Sequence, residues 1–112
     1  MELPTGLFID GAFRAATGGG RTVLTNPADE QSFAEVAAAD TADVAAAVES
    51  AQRAWESGWR DLAPGKRTEI LFNVARKLRE NIGEIGRIES LNIGKPIADA
   101  RDEAGLGARV FE

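Results

Sequence analysis

The chain has 112 residues, enough for one modest domain or for a piece of a larger one, and its 44% apolar and 28% charged residues are those of a folded globular protein. Its 13 Lys and Arg against 18 Asp and Glu leave a net charge of −5 with no basic run, which excludes a nucleic-acid surface. There is no Cys and no His, so a thiolate nucleophile, an imidazole base, a zinc site of the usual ligands and a disulfide framework are all excluded from these residues.

The first ten residues, MELPTGLFID, carry an acid at position 2 and no apolar run of signal-peptide length. Nothing in the chain approaches the roughly 20 apolar residues of a membrane helix, so no membrane partner is expected and the expected location is cytoplasmic. Residues 1–39 read as short strands. In LFIDGAFR, Asp10-Gly11 stands between apolar triplets, the strongest short hairpin signal, because a type I′ turn needs positive φ at both central positions. TGGGR at 17–21 reads as a flexible turn. RTVLTNP puts Val23 and Thr25 on one face and ends at Asn26-Pro27, ADEQ is a loop, and SFAEVA alternates again. Three or four strands joined as hairpins are expected.

From residue 40 the period becomes helical, and residues 40–112 read as a helical segment. Asp40 is placed as N-cap with Asp43 in the capping-box position; Val44, Ala47, Val48, Ala51, Ala54 and Trp55 form an apolar stripe, with Gly58 as the C′ glycine. A second helix starts at Pro64 with the stripe Ile70, Leu71, Val74, Ala75, Leu78, and Asn81 ends it or caps the next. A third runs from about Ile82, with Gly83 and Gly86 lowering its propensity by about 1 kcal/mol each. The fourth places Ala100, Ala104, Ala108 and Phe111 at helical spacing, and the expectation is that the chain stops inside it at Glu112.

ESLNIGKP, residues 89–96, raises the question of a phosphate loop. Such a loop needs Gly where Glu89 stands and Ser or Thr where Pro96 stands, so Gly94 is read as a C′ residue, Lys95 as a cation at the helix's negative end and Pro96 as the start of the next helix. Gly105-Leu106-Gly107 is a poor dinucleotide fingerprint, with Val110 in the third glycine's place and no preceding strand; small residues for close helix packing are the better reading. The glycines at 18–20 are a hairpin loop rather than an anion nest. Trp55 and Trp59 are assigned to core or interface packing before a ligand patch. Arg67 opens the second helix, where it either binds a carboxylate or is solvated, and Glu89 is an ion-pair partner rather than a general base. No self-sufficient active site emerges.

The order of LFIDGAF, TNPA, VAAAVESAQRAWESGW, RTEILFNVARKLREN and IESLNIGKPIADA nevertheless resembles the N-terminal part of the NAD(P)-dependent aldehyde dehydrogenase family, from about Leu7 to Glu112. The Asn-containing motif leans toward betaine- and aminobutyraldehyde-type members. The resemblance implies an α/β fold in which short hairpin strands and about four helices pack on a Rossmann-type domain lying outside this chain. It further implies NAD or NADP as cofactor, an aldehyde as substrate, a homo-oligomer (dimer or tetramer), and the remainder of such a chain as partner. In that family a cysteine attacks the aldehyde to form a thiohemiacetal, hydride passes to the nicotinamide, and a glutamate-activated water releases the acid while an asparagine-containing oxyanion hole holds the tetrahedral species. None of those groups maps to these residues. One feature does: a structural monovalent cation, for which the matching positions are Leu24, Thr25 and Asn92. Members often have Asp where Asn92 stands, and the alternative is that Asn92 caps or bridges backbone. The rival to the whole reading is a free-standing helical module whose apolar faces pair with another chain.

Overall fold

A computed structural model describes residues 3–112; Glu2, on which the reading of the N-terminus partly rests, lies outside them. The chain is mixed α/β, with two antiparallel strand pairs followed by four α-helices. It packs as two compact units, one of residues up to Thr25 with Ser32–Asp61, the other of Asn26–Gln31 with Leu62–Glu112. Secondary structure changes near the expected 39/40 line, but packing divides elsewhere, because the first helix groups with the strands.

In the first unit, β1 (Leu7–Ile9) and β2 (Ala12–Arg14) pair with Ile9 opposite Ala12 and Phe8 opposite Phe13. Asp10 at φ 56° and Gly11 at φ 78° make the turn, as the Asp-Gly pair predicts. The Phe8 and Phe13 rings lie 5.0 Å apart and tilted by 56°, a favourable cross-strand aromatic pair. β3 (Arg21–Thr25) pairs with β4 (Ser32–Ala37), and Thr25 lies opposite Ser32 while Leu24 lies opposite Ala34, so Phe33 is the extra residue of a bulge. Leu24 is half-buried and Val23 exposed, so the inward position of β3 is the one between the two expected to share a face.

The helix α1 (Thr41–Ala54) opens on a complete capping box: the Asp40 carboxylate accepts from the Ala42 and Asp43 amides, and the Asp43 carboxylate accepts from the Asp40 amide. Its end departs from expectation. A turn of π type, Trp55–Trp59, follows the α-helix, and Gly58 breaks it at φ 158°, ψ −25°, outside the helical region, so the glycine marks a kink beyond Ala54 rather than the C′ position of α1. Trp55 and Trp59 of this turn are 46% and 36% exposed, so neither is a core residue of this chain.

In the second unit, residues 26–31 close a tight turn by Asn26 N–H to the Gln31 carbonyl at 2.9 Å and Glu30 N–H to the Asn26 carbonyl at 2.8 Å. α2 (Pro64–Glu80) begins with Pro at its first turn, where the missing N–H costs nothing. Asn81 ends it by donating from Nδ2 to the Lys77 carbonyl at 2.8 Å, and its side chain does not cap α3 (Ile82–Ile93). Gly94 closes α3 at φ 74°, ψ 16°, its N–H on the Ser90 carbonyl, and Pro96 precedes α4 (Ile97–Arg109). α4 stops short of Glu112, contrary to expectation: the amides of Val110, Phe111 and Glu112 reach back only three residues, and Glu112 is held by Arg79. Phe111 therefore lies beyond the helix and is exposed.

The close-packing residue between helices is Gly86 rather than the 105–107 run. A Cβ at Gly86 would stand 2.8 Å from Arg101 Cγ and 3.1 Å from the Arg101 backbone N, whereas Gly107 faces open space. The most buried apolar residues of the helices are accordingly small: Ala75, Ala100 and Ala108. On the expected stripes, Val44 and Val48 of α1 and Ile70 and Leu71 of α2 are exposed, whereas Val74 and Leu78 are half-buried; Phe72, off the expected stripe, is exposed as well.

Candidate functional site

The most strongly built polar group in the first unit is Asp43, whose side chain is fully buried. Arg14 Nη2 donates to its Oδ1 at 2.9 Å, the Thr17 hydroxyl at 2.7 Å, the Thr17 amide to both oxygens at 3.1 Å, and the Asp40 amide to Oδ2 at 3.1 Å. The Thr17 hydroxyl, against the opposing effect of burial, leads these donors in lowering its pKa from 3.8 to about 2. A carboxylate so completely satisfied has no lone pair free for a substrate proton. Asp43 ties the strand exit at 14–17 to the first turn of α1, and its role is structural.

In the second unit the Gly94-Lys95-Pro96 corner carries the densest ion pairing. Lys95 Nζ lies 3.1 Å from Glu89 Oε1 and also pairs with Glu103, joining the last turns of α3 to α4. Glu103 first and Glu89 second raise the Lys95 pKa. The ammonium is thus engaged by two carboxylates and is not offered to a phosphate, and Glu89 is the ion-pair partner that its sequence position suggests. At the same corner a Cβ on Gly94 would stand 2.9 Å from Pro27 Cγ, so the glycine is required by contact as well as by conformation.

The three residues matched to a monovalent cation fall in different units. Leu24 and Thr25 end β3 opposite the bulge; Asn92 is an exposed residue of the last turn of α3. Among the described residues, no group of three or more His, Cys, Asp or Glu could hold a metal ion. Arg67 is half-buried and forms no ion pair among the described residues. Gly18 faces the Asp40 carboxylate, which would lie 3.0 Å from a Cβ at that position, so an acid rather than an anion site neighbours the glycine run. Gly105-Leu106-Gly107 lies within α4 with no strand before it, and these residues do not fit a nicotinamide dinucleotide. No helix among the described residues is long and apolar enough to cross a membrane.

Residues 13–112 match the model of the aldehyde dehydrogenase family. The chain belongs to that family. It is 45% identical over 102 residues to an aminoacetaldehyde dehydrogenase of Pseudomonas aeruginosa, covering 90% of this chain and 21% of that protein. It is 34% identical over 105 residues to malonate-semialdehyde dehydrogenase 2 of Shouchella clausii, covering 94% of this chain and again 21% of the relative. Among solved structures, the indole-3-acetaldehyde dehydrogenase of P. syringae in complex with NAD+ and IAA superposes with a TM-score of 0.95 at 37% identity, over 99% of this chain and 23% of that one. The chain therefore spans about a fifth of the length of the curated relatives it matches. The backbone signals found above, from the hairpin turn to the αL glycine before Lys95, are thus set within an aldehyde dehydrogenase fold.

Proposed function

We propose that this chain is the N-terminal segment of an NAD(P)-dependent aldehyde dehydrogenase, an enzyme that oxidises an aldehyde to the carboxylic acid, and that its own part is architectural. The observation that carries the reading is the fit of 99% of these residues to less than a quarter of an indole-3-acetaldehyde dehydrogenase. The composition supports it: with no Cys in 112 residues, the thiolate that such chemistry needs must come from polypeptide outside them. The exposed apolar residues of α1 and α2 support it too, as surface awaiting a cover. NAD+ is favoured as the acceptor by its presence in related structures, and NADP+ is the alternative. The identity to an aminoacetaldehyde dehydrogenase supports a lean toward amino-substituted aldehydes, the betaine- and aminobutyraldehyde-type group.

A cytoplasmic homo-oligomer belongs to the same proposal. So does the monovalent cation that the family resemblance implies, with Leu24, Thr25 and Asn92 as the positions matched to it and neutral oxygens as donors suited to a hard ion. Its test is the Tm of the complete polypeptide in potassium against choline chloride: a higher value in potassium that disappears in Asn92→Ala supports the ion, and equal values remove it. The enzymatic reading is tested by following aldehyde-dependent NAD(P)H formation by the 112-residue chain and by the longer polypeptide that contains it. Turnover only by the longer form is expected. Turnover by the 112 residues alone, or none by the longer form, contradicts it.

A further inference from the structure

At the tip of the first hairpin stands Asp10-Gly11, the one Asp-Gly or Asn-Gly pair in the sequence. Both residues have positive φ, the Asp10 side chain is 70% exposed, and open space surrounds the position that a Gly11 Cβ would take. The Gly11 amide donates no hydrogen bond to another backbone group among the described residues. The Asp10 carboxylate, by contrast, is held from α1 at both oxygens. Ser50 Oγ donates to Oδ1 at 3.1 Å, and Arg53 Nη2 lies 3.4 Å from Oδ2. These two side chains, 40 and 43 residues further along the chain, tie the hairpin turn to the face of the helix.

We infer that Asp10-Gly11 is a site of spontaneous isoaspartate formation, and that Ser50 and Arg53 restrain the conversion by holding both carboxylate oxygens. Water is the only other reactant. The Gly11 nitrogen bonds to Asp10 Cγ while the carboxyl, in its acid form, loses its hydroxyl together with the amide proton as water, which closes a succinimide ring. Water then adds to the Asp10 main-chain carbonyl carbon, and the bond from that carbon to the Gly11 nitrogen breaks. The main chain afterwards runs through Cγ, the former carbonyl is a free carboxylate, and the composition is unchanged. Glycine suits the attack because no side chain shields its nitrogen. Ring closure removes one of the two oxygens, so the succinimide cannot satisfy Ser50 and Arg53 together, and their contacts oppose it. The product adds a methylene to the main chain of a two-residue turn between Ile9 and Ala12. That turn type has no place for it, so conversion frees the hairpin tip from α1.

The test ages the complete polypeptide for several weeks at neutral pH and body temperature. Its peptides are then separated by chromatography, and electron-transfer fragmentation distinguishes isoaspartate from aspartate at equal mass. Isoaspartate should accumulate at residue 10. The Ser50→Ala/Arg53→Gln protein should form it about threefold faster, the change expected on losing exposed polar contacts of ordinary strength. No isoaspartate at residue 10 of the parent, or a rate in the variant no greater than the parent's, would overturn the inference. Should the variant fail to fold, the parent is compared with itself in urea. Unfolding releases the carboxylate from α1 and should raise the rate at residue 10, and an equal or slower rate in urea overturns the restraint.

Discussion

Asp43 shows how much a single residue's neighbours decide. Its capping bond to the Asp40 amide is readable three residues away, but its partners Arg14 and Thr17 lie 29 and 26 residues back, and no local pattern announces them. Removing the carboxylate would leave the Arg14 guanidinium and the Thr17 and Asp40 amides without their acceptor, so Asp43→Ala or Asp43→Asn should lower the Tm of the complete polypeptide by several degrees, measured by differential scanning calorimetry. A Tm equal to the parent's would deny the carboxylate this role. The pH dependence has a definite sign. The folded pKa lies below the unfolded one, so the stabilisation is complete above the unfolded value and is lost as pH falls from 3.8 through about 2. Acid unfolding of the Asp43→Asn protein should accordingly show a shallower loss of stability in that window than the parent.

At the scale of elements, the punctuation was legible and the packing was not. Asp10-Gly11, the Asp40 box, Pro64 and Gly94 each satisfy a backbone requirement within a few residues, so their chemistry determines where strands and helices start and stop. Helix–helix contact obeys no such local rule. Gly86 reads as a weak helix former, yet it is the point where α3 meets the backbone of Arg101 on α4. Gly86→Ala should cost about 1–3 kcal/mol through overpacking despite the better helix propensity of Ala. Gly107→Ala, with nothing near its Cβ position, should be neutral or slightly stabilising in the same urea titration. Reversal of that order would displace the crossing from Gly86. At the end of α3, Gly94→Ala should destabilise by about 1 kcal/mol or more, since both φ 74° and Pro27 oppose a side chain. An unchanged unfolding midpoint would remove the αL cap. The π turn at Trp55–Trp59 escaped sequence reading because a helix-ending glycine and a glycine at a kink just beyond the helix have the same spacing.

For the whole molecule, the exposed stripes carry the main lesson. The periodicity of Val44 and Val48 on α1, and of Ile70 and Leu71 on α2, reports an amphipathic helix whether or not the partner is in the same 112 residues. Periodicity therefore located the helices correctly and overstated what they bury among themselves. The candidate site was less legible still. Lys95 was separable from a phosphate loop by its neighbours Glu89 and Pro96, but its bridge to Glu103 depends on how α4 turns back. Under the proposed function, the exposed apolar surface and the chemistry are completed by more polypeptide, in keeping with the chain's share of its relatives. The direct measurement is the unfolding of residues 1–112 expressed alone, by calorimetry on material sized by analytical ultracentrifugation. Aggregation or a broad, weakly cooperative transition is the result predicted for a segment with its apolar faces uncovered. A sharp transition from a monodisperse monomer would contradict the account.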